Sequence, residues 1–356
     1  MPHLSSGDAE AAYSQALLAG NQAETPAQAL RLNRGAVALV TGIADLAGAW
    51  DLDKVTATLS DFADTAVEAA LRTAFTERYP GEEVRGFAVI ALGKHGSREL
   101  NYSSDIDPIL IFDPETLPRG AREEPVEAAV RLARRMVEVL SARDGDGYVF
   151  RVDLRLRPTP EATPIALPVE AAISYYESMA LGWEQAAFIR ARVCAGDMEL
   201  GSYFLQAIRP FIWRRSLDFG AIDAILDISR RIRDHYANAQ AFGPGYDLKR
   251  GRGGIREVEF FAQVHQLIHG GRQPALRAGA TREAVRLLGQ WRVIEPDVAL
   301  RLDQAYVLLR TIEHRLQMVD DRQTHEIPLK SDALDNVARL HGLGGGDGLL
   351  DLLRPH

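Results

Sequence analysis

The sequence predicts an α+β protein in which a small mixed sheet with helices is followed by a large all-helical region. Two short apolar segments bounded by turn residues, "GFAVIALG" at 86–93 and "DPILIFD" at 107–113, are typical of buried strands. A third segment, "YVFRVDLRLR" at 148–157, alternates with period two, as a half-buried strand does. After about residue 165 nearly all of the chain shows helical periodicity instead.

The N-terminal part of the chain is predicted to be helical before the sheet begins. Residues 1–25 are small and polar and are expected to be loosely ordered. From about Pro26 to Arg78 apolar residues recur at helical spacing, and Pro80-Gly81 ends the pattern. Another amphipathic helix is predicted at 125–142, between the second and third strands.

These elements divide the chain into three predicted domains. A helical N-terminal lead covers 1–80, a small α/β domain covers 81–165, and a helical domain covers 166–356. The clearest helix of the last domain is "RLDQAYVLLRTIEHRLQMV" at 301–319, which has one apolar stripe. Its His314 is expected to be solvated or hydrogen-bonded, because no second ligand stands at metal-binding spacing.

Composition limits the classes of protein to which the chain can belong. The 356 residues are 46% hydrophobic and 25% charged, which is ordinary for a globular protein. No apolar run approaches the roughly 18 residues of a membrane span, and the N-terminus lacks the pattern of a signal peptide. The net charge of −8 weakens a nucleic-acid-binding interpretation, and the single cysteine, Cys194, excludes an intramolecular disulfide. We therefore expect a cytoplasmic protein with neither a membrane nor a nucleic-acid partner.

Three aspartates stand where two predicted strands carry polar faces. Asp105 and Asp107 are two residues apart and project to the same side, and Asp153 lies on the polar face of the third segment. If the two strands are neighbours, the three carboxylates converge. Converging carboxylates repel one another unless a cation lies between them, and Mg²⁺ prefers such oxygen ligands. The sequence therefore predicts Asp105, Asp107 and Asp153 as the catalytic and metal-binding residues of a Mg²⁺ site. An isolated Asp-x-Asp would more often mark a solvated strand end.

Residues around these aspartates are candidates for binding phosphate. Gly93 and Lys94 form a glycine turn after the first strand, and such a turn lets backbone N–H groups approach a phosphate. Ser103 and Ser104 can add hydroxyl donors just before the aspartates. Arg155 shares the polar face of Asp153, where it can pair with the carboxylates or contact a nucleotide.

A cationic, glycine-rich segment, "KRGRGGIRE" at 249–257, precedes a predicted helix. Anions favour helix N-termini, so Lys249, Arg252 and Arg256 are candidates for nucleotide or phosphate contacts. The alternative is a solvated basic loop in which Arg256 pairs with a nearby glutamate.

Several long motifs resemble one known family. "LGKHGSRELNYSSDID" together with "RVDLRLRP" resembles the nucleotidyltransferase superfamily with the DNA polymerase β-like fold. Within it, the match is to the bifunctional glutamine synthetase adenylyltransferase/adenylyl-removing enzymes. The segments "GWEQAAFIRARVCAGD", "YDLKRGRGGIREVEFFAQ" and "IEHRLQMVDDRQTHEIP" resemble the helical-domain segments of that family. The resemblance runs from about residue 30 to 345 and implies that 81–165 is the nucleotidyltransferase catalytic domain.

The family joins two related halves, and "ELNYSSDID" and "GRGGIREVEF" are similar to the N-terminal, adenylyl-removing half. The resemblance implies Mg²⁺-dependent phosphorolysis, in which orthophosphate removes AMP from a tyrosine of glutamine synthetase and gives ADP. It also implies a PII-type signalling protein as a partner. The alternatives are ATP-dependent adenylylation of the synthetase and a non-catalytic regulatory half.

The chain departs from the family pattern at two positions. Pro108 follows Asp107 where an aliphatic residue is usual, and a proline inside a strand puts the regularity of that strand in question. His95 stands in the glycine turn where leucine is usual, and the sequence assigns it no role.

Overall fold

The computed structural model describes residues 7–215, 241–320 and 322–354. The chain divides into two compact units. The first unit comprises Met1–Leu100, Ser104–Ala180 and Arg190–Phe211, and the second comprises Asn101–Ser103, Leu181–Ile189 and Ile212–His356. A small mixed sheet in the first unit and the helices of both units confirm the predicted α+β class.

The elements are labelled in chain order. The described helices are α1 (Ala9–Ala16), α2 (Pro26–Leu46), α3 (Leu52–Arg78), α4 (Gly93–Gly96), α5 (Pro125–Ser141), α6 (Val169–Ser178), α7 (Gly182–Phe188), α8 (Met198–Ala207), α9 (Arg209–Ile212), α10 (Ile255–Gly270), α11 (Thr281–Gln290), α12 (Pro296–Asp320), α13 (Ser331–Leu340) and α14 (Gly346–Leu353). The described strands are β1 (Phe87–Leu92), β2 (Asp107–Phe112), β3 (Ala166–Pro168) and β4 (Arg192–Gly196). None of the helices in the described ranges is long and apolar enough to cross a membrane.

The helices that precede the sheet begin at side-chain caps. Asp8 accepts the N–H of Ala11 at 2.9 Å at the start of α1, and Asp51 accepts the N–H of Lys54 at 2.9 Å before α3. Helix α1 corrects the expectation of loose order for Ala9–Ala16, and residues 1–6 of that prediction lie outside the described residues. The two long helices α2 and α3 confirm the predicted helical stretch, although a break between them separates it into two.

The sheet has the strand order β3-β2-β1-β4. Strand β1 pairs antiparallel with β2 and with β4, and β2 pairs parallel with β3. Strands β1 and β2 are central and buried along nearly their whole length, which is why their sequences are almost continuously apolar. Pro108 does not interrupt β2, because it lies opposite Ala91 before the pairing with β3 begins at Leu110.

The predicted strand at 148–157 is wrong as a regular strand. In the described structure the segment makes one isolated parallel bridge, between Ile106 and Val152, and then turns away. The reason lies in Arg157, whose guanidinium donates to the backbone carbonyls of Leu154 at 2.7 Å and Pro160 at 2.5 Å. These hydrogen bonds close a loop, so the alternating pattern of the segment does not correspond to a sheet edge.

Strands β3 and β4 correct the expectation that nearly everything after residue 165 is helical. Both are short, and β4 lies within "GWEQAAFIRARVCAGD", a segment interpreted as part of the helical domain. A three-residue and a five-residue strand are too short to give a period-two signal that competes with the helical patterns around them. The helix predicted at 125–142 is confirmed by α5.

The second unit is built around α12. A hydrophobic core joins α10, α11 and α12 with α13 and α14, and Ile312 and Leu316 of the predicted apolar stripe are buried in it. Helix α12 is buried on more than one side, because its Arg310, Glu313 and His314 are each at most 1% exposed. These polar groups are paired within the unit: Arg310 donates to the hydroxyl of Tyr306 at 2.7 Å and to Oδ1 of Asn101 at 2.6 Å, and Glu313 forms an ion pair with Arg310. The expectation that His314 is hydrogen-bonded is confirmed by a 3.1 Å contact between its Nε2 and Oδ1 of Asn101.

Candidate active site

The structure brings Asp105, Asp107 and Asp153 together in the first unit. Each offers a carboxylate oxygen, and the three oxygens lie within 4.8 Å of one another. Asp107 begins β2, and Asp153 is aligned beside it by two backbone hydrogen bonds of Ile106. The N–H of Ile106 donates to the carbonyl of Arg151 at 3.0 Å, and the N–H of Asp153 donates to the carbonyl of Ile106 at 2.9 Å. A single bridge therefore suffices to place the third carboxylate.

Asp153 is paired with Arg155. The Nε–H of Arg155 lies 2.9 Å from each carboxylate oxygen, and the backbone N–H of Arg155 donates to Oδ1 at 2.9 Å. The hydrogen bonds from Arg155 hold the pKa of Asp153 below its ordinary value, although partial burial opposes the shift. The charges of Asp105 and Asp107 further raise the pKa of the guanidinium. The side chain of Arg155 is 84% exposed, whereas that of Asp153 is 17% exposed.

The donor set of this cluster fits Mg²⁺. All three candidate ligands are carboxylate oxygens, and a Mg²⁺ ion bound by a few carboxylates retains coordination positions for water and substrate phosphate. The cluster is only partly buried, so a substrate can reach the ion from solvent.

The glycine turn lies directly against this cluster. Because β1 and β2 are antiparallel with Leu92 opposite Asp107, the residue after β1 meets the residue that begins β2. Gly93 has a φ of +56°, and a Cβ atom at this position would lie 2.4 Å from Oδ2 of Asp107. Only glycine fits this close approach without displacing the carboxylate. Lys94 follows in α4 and is partly buried.

The two serines before the aspartates have different surroundings. Ser104 belongs to the first unit, directly precedes Asp105 and is partly buried. Ser103 belongs to the second unit and is fully buried, and its backbone N–H donates to Oε1 of Gln317 at 3.0 Å. Their phosphate contacts stay predictions.

The basic segment at 249–257 forms a structured loop in the second unit. Oδ1 of Asp247 accepts the N–H groups of Lys249 at 2.8 Å and Arg250 at 2.9 Å, which turns the chain. The guanidinium of Arg256 lies 5.3 Å from the ring centre of Phe260. Glu257, the next residue in the chain, accepts the N–H of Gly253 at 3.1 Å, so it stabilises the loop.

Arg252 of this loop lines a cavity of about 520 Å³. The rings of Phe242 and Tyr246 form one part of the wall, with centres 5.4 Å apart. Glu257 forms another, and its buried Oε1 has no hydrogen-bond partner in the described structure. The cavity thus offers an aromatic surface, a guanidinium and a carboxylate oxygen able to accept. Sequence reasoning missed Phe242 and Tyr246, which precede the basic segment, and gave Glu257, its last residue, no binding role.

The assignment of no role to His95 is incomplete. His95 is fully buried, and its Nε2 lies 2.7 Å from Oδ1 of Asp64 on α3. Asp64 precedes His95 by 31 residues, so no local spacing pattern could have revealed the pair.

Comparison with known proteins extends these findings. A family model described as glutamate–ammonia ligase adenylyltransferase matches residues 4–207. A second one, described as PII-uridylyltransferase, matches residues 227–353.

Three curated relatives share the name bifunctional glutamine synthetase adenylyltransferase/adenylyl-removing enzyme. The protein from Caulobacter vibrioides is 46% identical over 97% of this chain and 37% of its own length. The protein from Xanthobacter autotrophicus is 46% identical over 91% of this chain and 34% of its own length. The protein from Rhizobium meliloti is 44% identical over 88% of this chain and 33% of its own length. The chain therefore spans about a third of the length of these relatives.

Proposed function

Because this chain belongs to the glutamate–ammonia ligase adenylyltransferase family, we propose that it is a Mg²⁺-dependent nucleotidyltransferase that acts on glutamine synthetase. The reaction we propose is phosphorolysis: orthophosphate removes AMP from a modified tyrosine of the synthetase, giving ADP and the free tyrosine. The convergence of Asp105, Asp107 and Asp153 is the observation that carries this proposal, because it supplies a metal site suited to phosphoryl chemistry.

In the proposed reaction an oxygen of orthophosphate forms a bond to the phosphorus of AMP while the bond to the tyrosine oxygen breaks. The tyrosine oxygen leaves with the bonding electrons and takes a proton, supplied by hydrogen phosphate or water, to end as a hydroxyl. Its reference pKa is about 10, so its developing negative charge needs stabilisation. When bound, Mg²⁺ supplies that stabilisation and neutralises phosphate oxygens.

The residues of this chain have separate tasks in that reaction. Asp105, Asp107 and Asp153 would hold the ion. Arg155, whose Nε–H lies 2.9 Å from both carboxylate oxygens of Asp153, would contact a phosphate oxygen beside the ion. The backbone N–H groups of the turn at Gly93, the side chain of Lys94 and the hydroxyl of Ser104 would hold the reacting phosphates. Since orthophosphate is already a nucleophile at neutral pH, this direction needs no strong general base.

We propose the basic loop of the second unit as a separate contact site for a nucleotide or phosphate. Lys249, Arg252 and Arg256 provide positive charge, and the cavity beside Arg252 has the volume of a small-molecule site. The rings of Phe242 and Tyr246 suit a base, and the unpartnered oxygen of Glu257 suits its amino group.

The opposite direction is the second candidate. The name of the relatives includes adenylyltransferase, so ATP-dependent adenylylation of the synthetase is the alternative. The motifs "ELNYSSDID" and "GRGGIREVEF" favour removal. A non-catalytic regulatory half is the third candidate, and the intact carboxylate cluster argues against it.

We also propose a partner and a compartment. The match of residues 227–353 to a family whose description names PII supports a PII-type signalling protein as the regulator. Glutamine synthetase, nucleotides and orthophosphate as substrates place the proposed reaction in the cytoplasm.

Incubation of the protein with AMP-modified glutamine synthetase, Mg²⁺ and orthophosphate tests the function directly. Release of ADP, measured by chromatography and lost in Asp105→Asn, is the expected result. Asp332→Asn, which alters an exposed carboxylate on α13, is the control and should release ADP at the wild-type rate. If ATP instead drives modification of the unmodified synthetase, the alternative direction is correct. If neither reaction occurs in a folded protein that binds Mg²⁺, both catalytic proposals are wrong for this chain.

A further inference from the structure

A cluster of three side chains outside the carboxylate site holds the glycine turn α4. Asp64 projects from α3, His95 lies within the turn, and Arg192 begins β4. Oδ1 of Asp64 lies 2.7 Å from Nε2 of His95, and it also accepts Nη2–H of Arg192 at 2.8 Å. Oδ2 of Asp64 accepts Nη1–H of Arg192 at 2.8 Å. One carboxylate therefore binds the turn and the strand at the same time.

Arg192 also binds the backbone of the turn. Its Nε–H donates to the carbonyl of Gly96 at 3.2 Å, and Nη2–H donates to the carbonyl of His95 at 3.1 Å. These two carbonyls are at the end of a four-residue helix, and the carbonyl of His95 also accepts the backbone N–H of Arg98 at 3.2 Å. The guanidinium thus satisfies the turn on one side and Asp64 on the other.

The charges within this cluster balance. Burial lowers the pKa of His95 below its ordinary value, so its imidazole is neutral and can donate Nε2–H to Asp64. Burial alone would raise the pKa of Asp64, but hydrogen bonds from His95 and Arg192 outweigh it and keep the carboxylate ionised. The side chains of Asp64 and Arg192 are each 23% exposed, so their pair is partly shielded from water and salt.

Close packing on the other side limits movement of the turn. A Cβ atom on Gly96 would lie 2.2 Å from the carbonyl oxygen of Arg190 and 2.6 Å from that of Ala91. The hydroxyl of Ser97 donates to the carbonyl of Gly93 at 3.2 Å. The turn therefore packs against the backbone of β1 and is also bound by Asp64 and Arg192.

The same place contains three possible metal ligands. Asp64, His95 and Cys194 have ligand atoms within 4.8 Å of one another. Both oxygens of Asp64 are already bound by the guanidinium of Arg192, whose positive charge opposes a second cation. Burial raises the pKa of the Cys194 thiol, so the thiolate that a metal needs is disfavoured. The cluster is therefore an ion pair of Asp64 and Arg192 with His95 bound to it, and it is poorly suited to a metal ion.

We propose that Asp64, His95 and Arg192 are positioning residues that hold the Gly93–Gly96 turn against Asp107 and so fix the turn's backbone N–H groups and Lys94 for the reacting phosphate. This inference rests on the proposed function for its catalytic consequence. Its structural part, the clamping of the turn, stands on the contacts alone.

Kinetics of Asp64→Asn and Arg192→Lys test the catalytic part. Lysine keeps the charge but cannot make the forked contacts of the guanidinium. Both variants are expected to lower kcat for ADP release about 10- to 100-fold, because misplacing reacting groups by about 1 Å has an effect of this size. Mg²⁺ affinity, measured by calorimetry, should remain within about two-fold of wild type, because the three site carboxylates are unchanged.

Two further variants separate positioning from general stability. His95→Gln retains an N–H donor for Asp64 and should keep most of kcat, whereas His95→Ala should lose it as Asp64→Asn does. Glu68→Gln is the matched control: Glu68 lies one turn further along α3 and accepts the N–H of Gly196 in β4 at 2.8 Å, without touching the turn. Its kcat should equal that of wild type even where its melting temperature falls.

Amide hydrogen exchange in the peptide covering 91–100 tests the clamp without any turnover. Faster exchange there in folded Asp64→Asn and Arg192→Lys, with unchanged exchange in Glu68→Gln, is expected. If wild type releases no ADP, the proposed function fails, and the exchange result still decides the clamp. Unchanged exchange and unchanged kcat in the two clamp variants would overturn the inference. Stoichiometric zinc binding that is lost in Cys194→Ser would overturn it too, by assigning a metal centre instead.

Discussion

Gly93 and Asp107 lie in such close contact that a Cβ atom on Gly93 would stand 2.4 Å from Oδ2 of Asp107. The antiparallel pairing of β1 with β2 causes this approach, because Leu92 is directly opposite Asp107. The first turn after β1 therefore lies directly against the first carboxylate of β2. A side chain at Gly93 would displace this proposed metal ligand.

Gly93→Ala is expected to abolish most of the Mg²⁺ affinity and turnover. The new methyl group cannot coexist with the carboxylate at that distance, and the φ of +56° adds strain of about 1–2 kcal/mol for a residue with a side chain. Calorimetric Mg²⁺ titration measures the effect. Gly48→Ala is the control, since Gly48 has a φ of +68° with open space around its Cβ position. It should lose similar stability and keep its Mg²⁺ affinity; equal Mg²⁺ affinity in both variants would contradict the close contact.

Arg155→Gln is expected to raise the pKa of Asp153 toward its ordinary value of 3.8, because the hydrogen bonds from Arg155 are the main cause of the lowered pKa. A lowered carboxyl pKa in the folded state stabilises the protein above 3.8, and this contribution is lost as pH falls through the folded pKa. The variant's stability should therefore change less with pH below that value.

Carboxyl ¹³C shifts of the metal-free protein measure this titration. Arg301→Gln, which removes an exposed pair with Asp297 at 3.2 Å, serves as the comparison and should leave the Asp153 titration in place. An unshifted Asp153 titration in Arg155→Gln would mean that other groups set its pKa.

His95 is expected to make the fold sensitive to mild acid. Burial lowers its pKa below the ordinary 6.5, so the unfolded chain binds a proton at a higher pH than the folded chain does. The stability that His95 contributes is therefore fully present above about pH 6.5. It decreases as the pH falls from there toward the folded-state pKa. Urea unfolding at about pH 7.5 and about pH 5.5 should show the loss in wild type and a smaller loss in His95→Gln.

His269→Gln gives the comparison for that experiment. Burial also lowers the pKa of His269, but this side chain is only partly buried. Its replacement should remove less of the acid sensitivity. Equal effects of the two variants would show that the burial of His95 is not the main cause of the acid sensitivity.

Arg252→Ala is expected to weaken binding of ADP about 10-fold, because the guanidinium lines the cavity and a charge-assisted contact contributes about 1.5–3 kcal/mol. Arg250→Ala is the matched control, because Arg250 is two residues away in the same loop and its Nη1 lies 4.0 Å from Oδ2 of Asp247. Fluorescence titration with a labelled ADP distinguishes the two. Equal weakening by both variants would indicate a diffuse charge effect and no specific contact in the cavity.

The sequence carried the information for the central strands and for the carboxylates. Strands β1 and β2 are apolar on both faces because they are buried on both. The position of Asp107 could be predicted because it is the first residue of the apolar strand β2. The convergence of Asp153 was predicted on the condition that its segment lies beside Asp105 and Asp107. The bridge between Ile106 and Val152 meets that condition, even though the segment is a loop.

Other features depend on contacts that no local pattern contains. Arg157 closes a loop by binding backbone carbonyls, and an alternating sequence does not reveal such bonds. The role of His95 depends on Asp64 and Arg192, which lie 31 residues before it and 97 residues after it. The cavity wall formed by Phe242 and Tyr246 likewise depends on how the loop folds back on α10.

The strand order β3-β2-β1-β4 has a consequence for synthesis of the chain. The two central strands are made first, and the outer strands that cover their edges follow only at residues 166–168 and 192–196. Until the ribosome has released residue 196, at least one apolar strand edge is open to pairing with another nascent chain. Truncation at residue 165 would make that exposure permanent, so a soluble catalytic fragment needs to extend beyond β4.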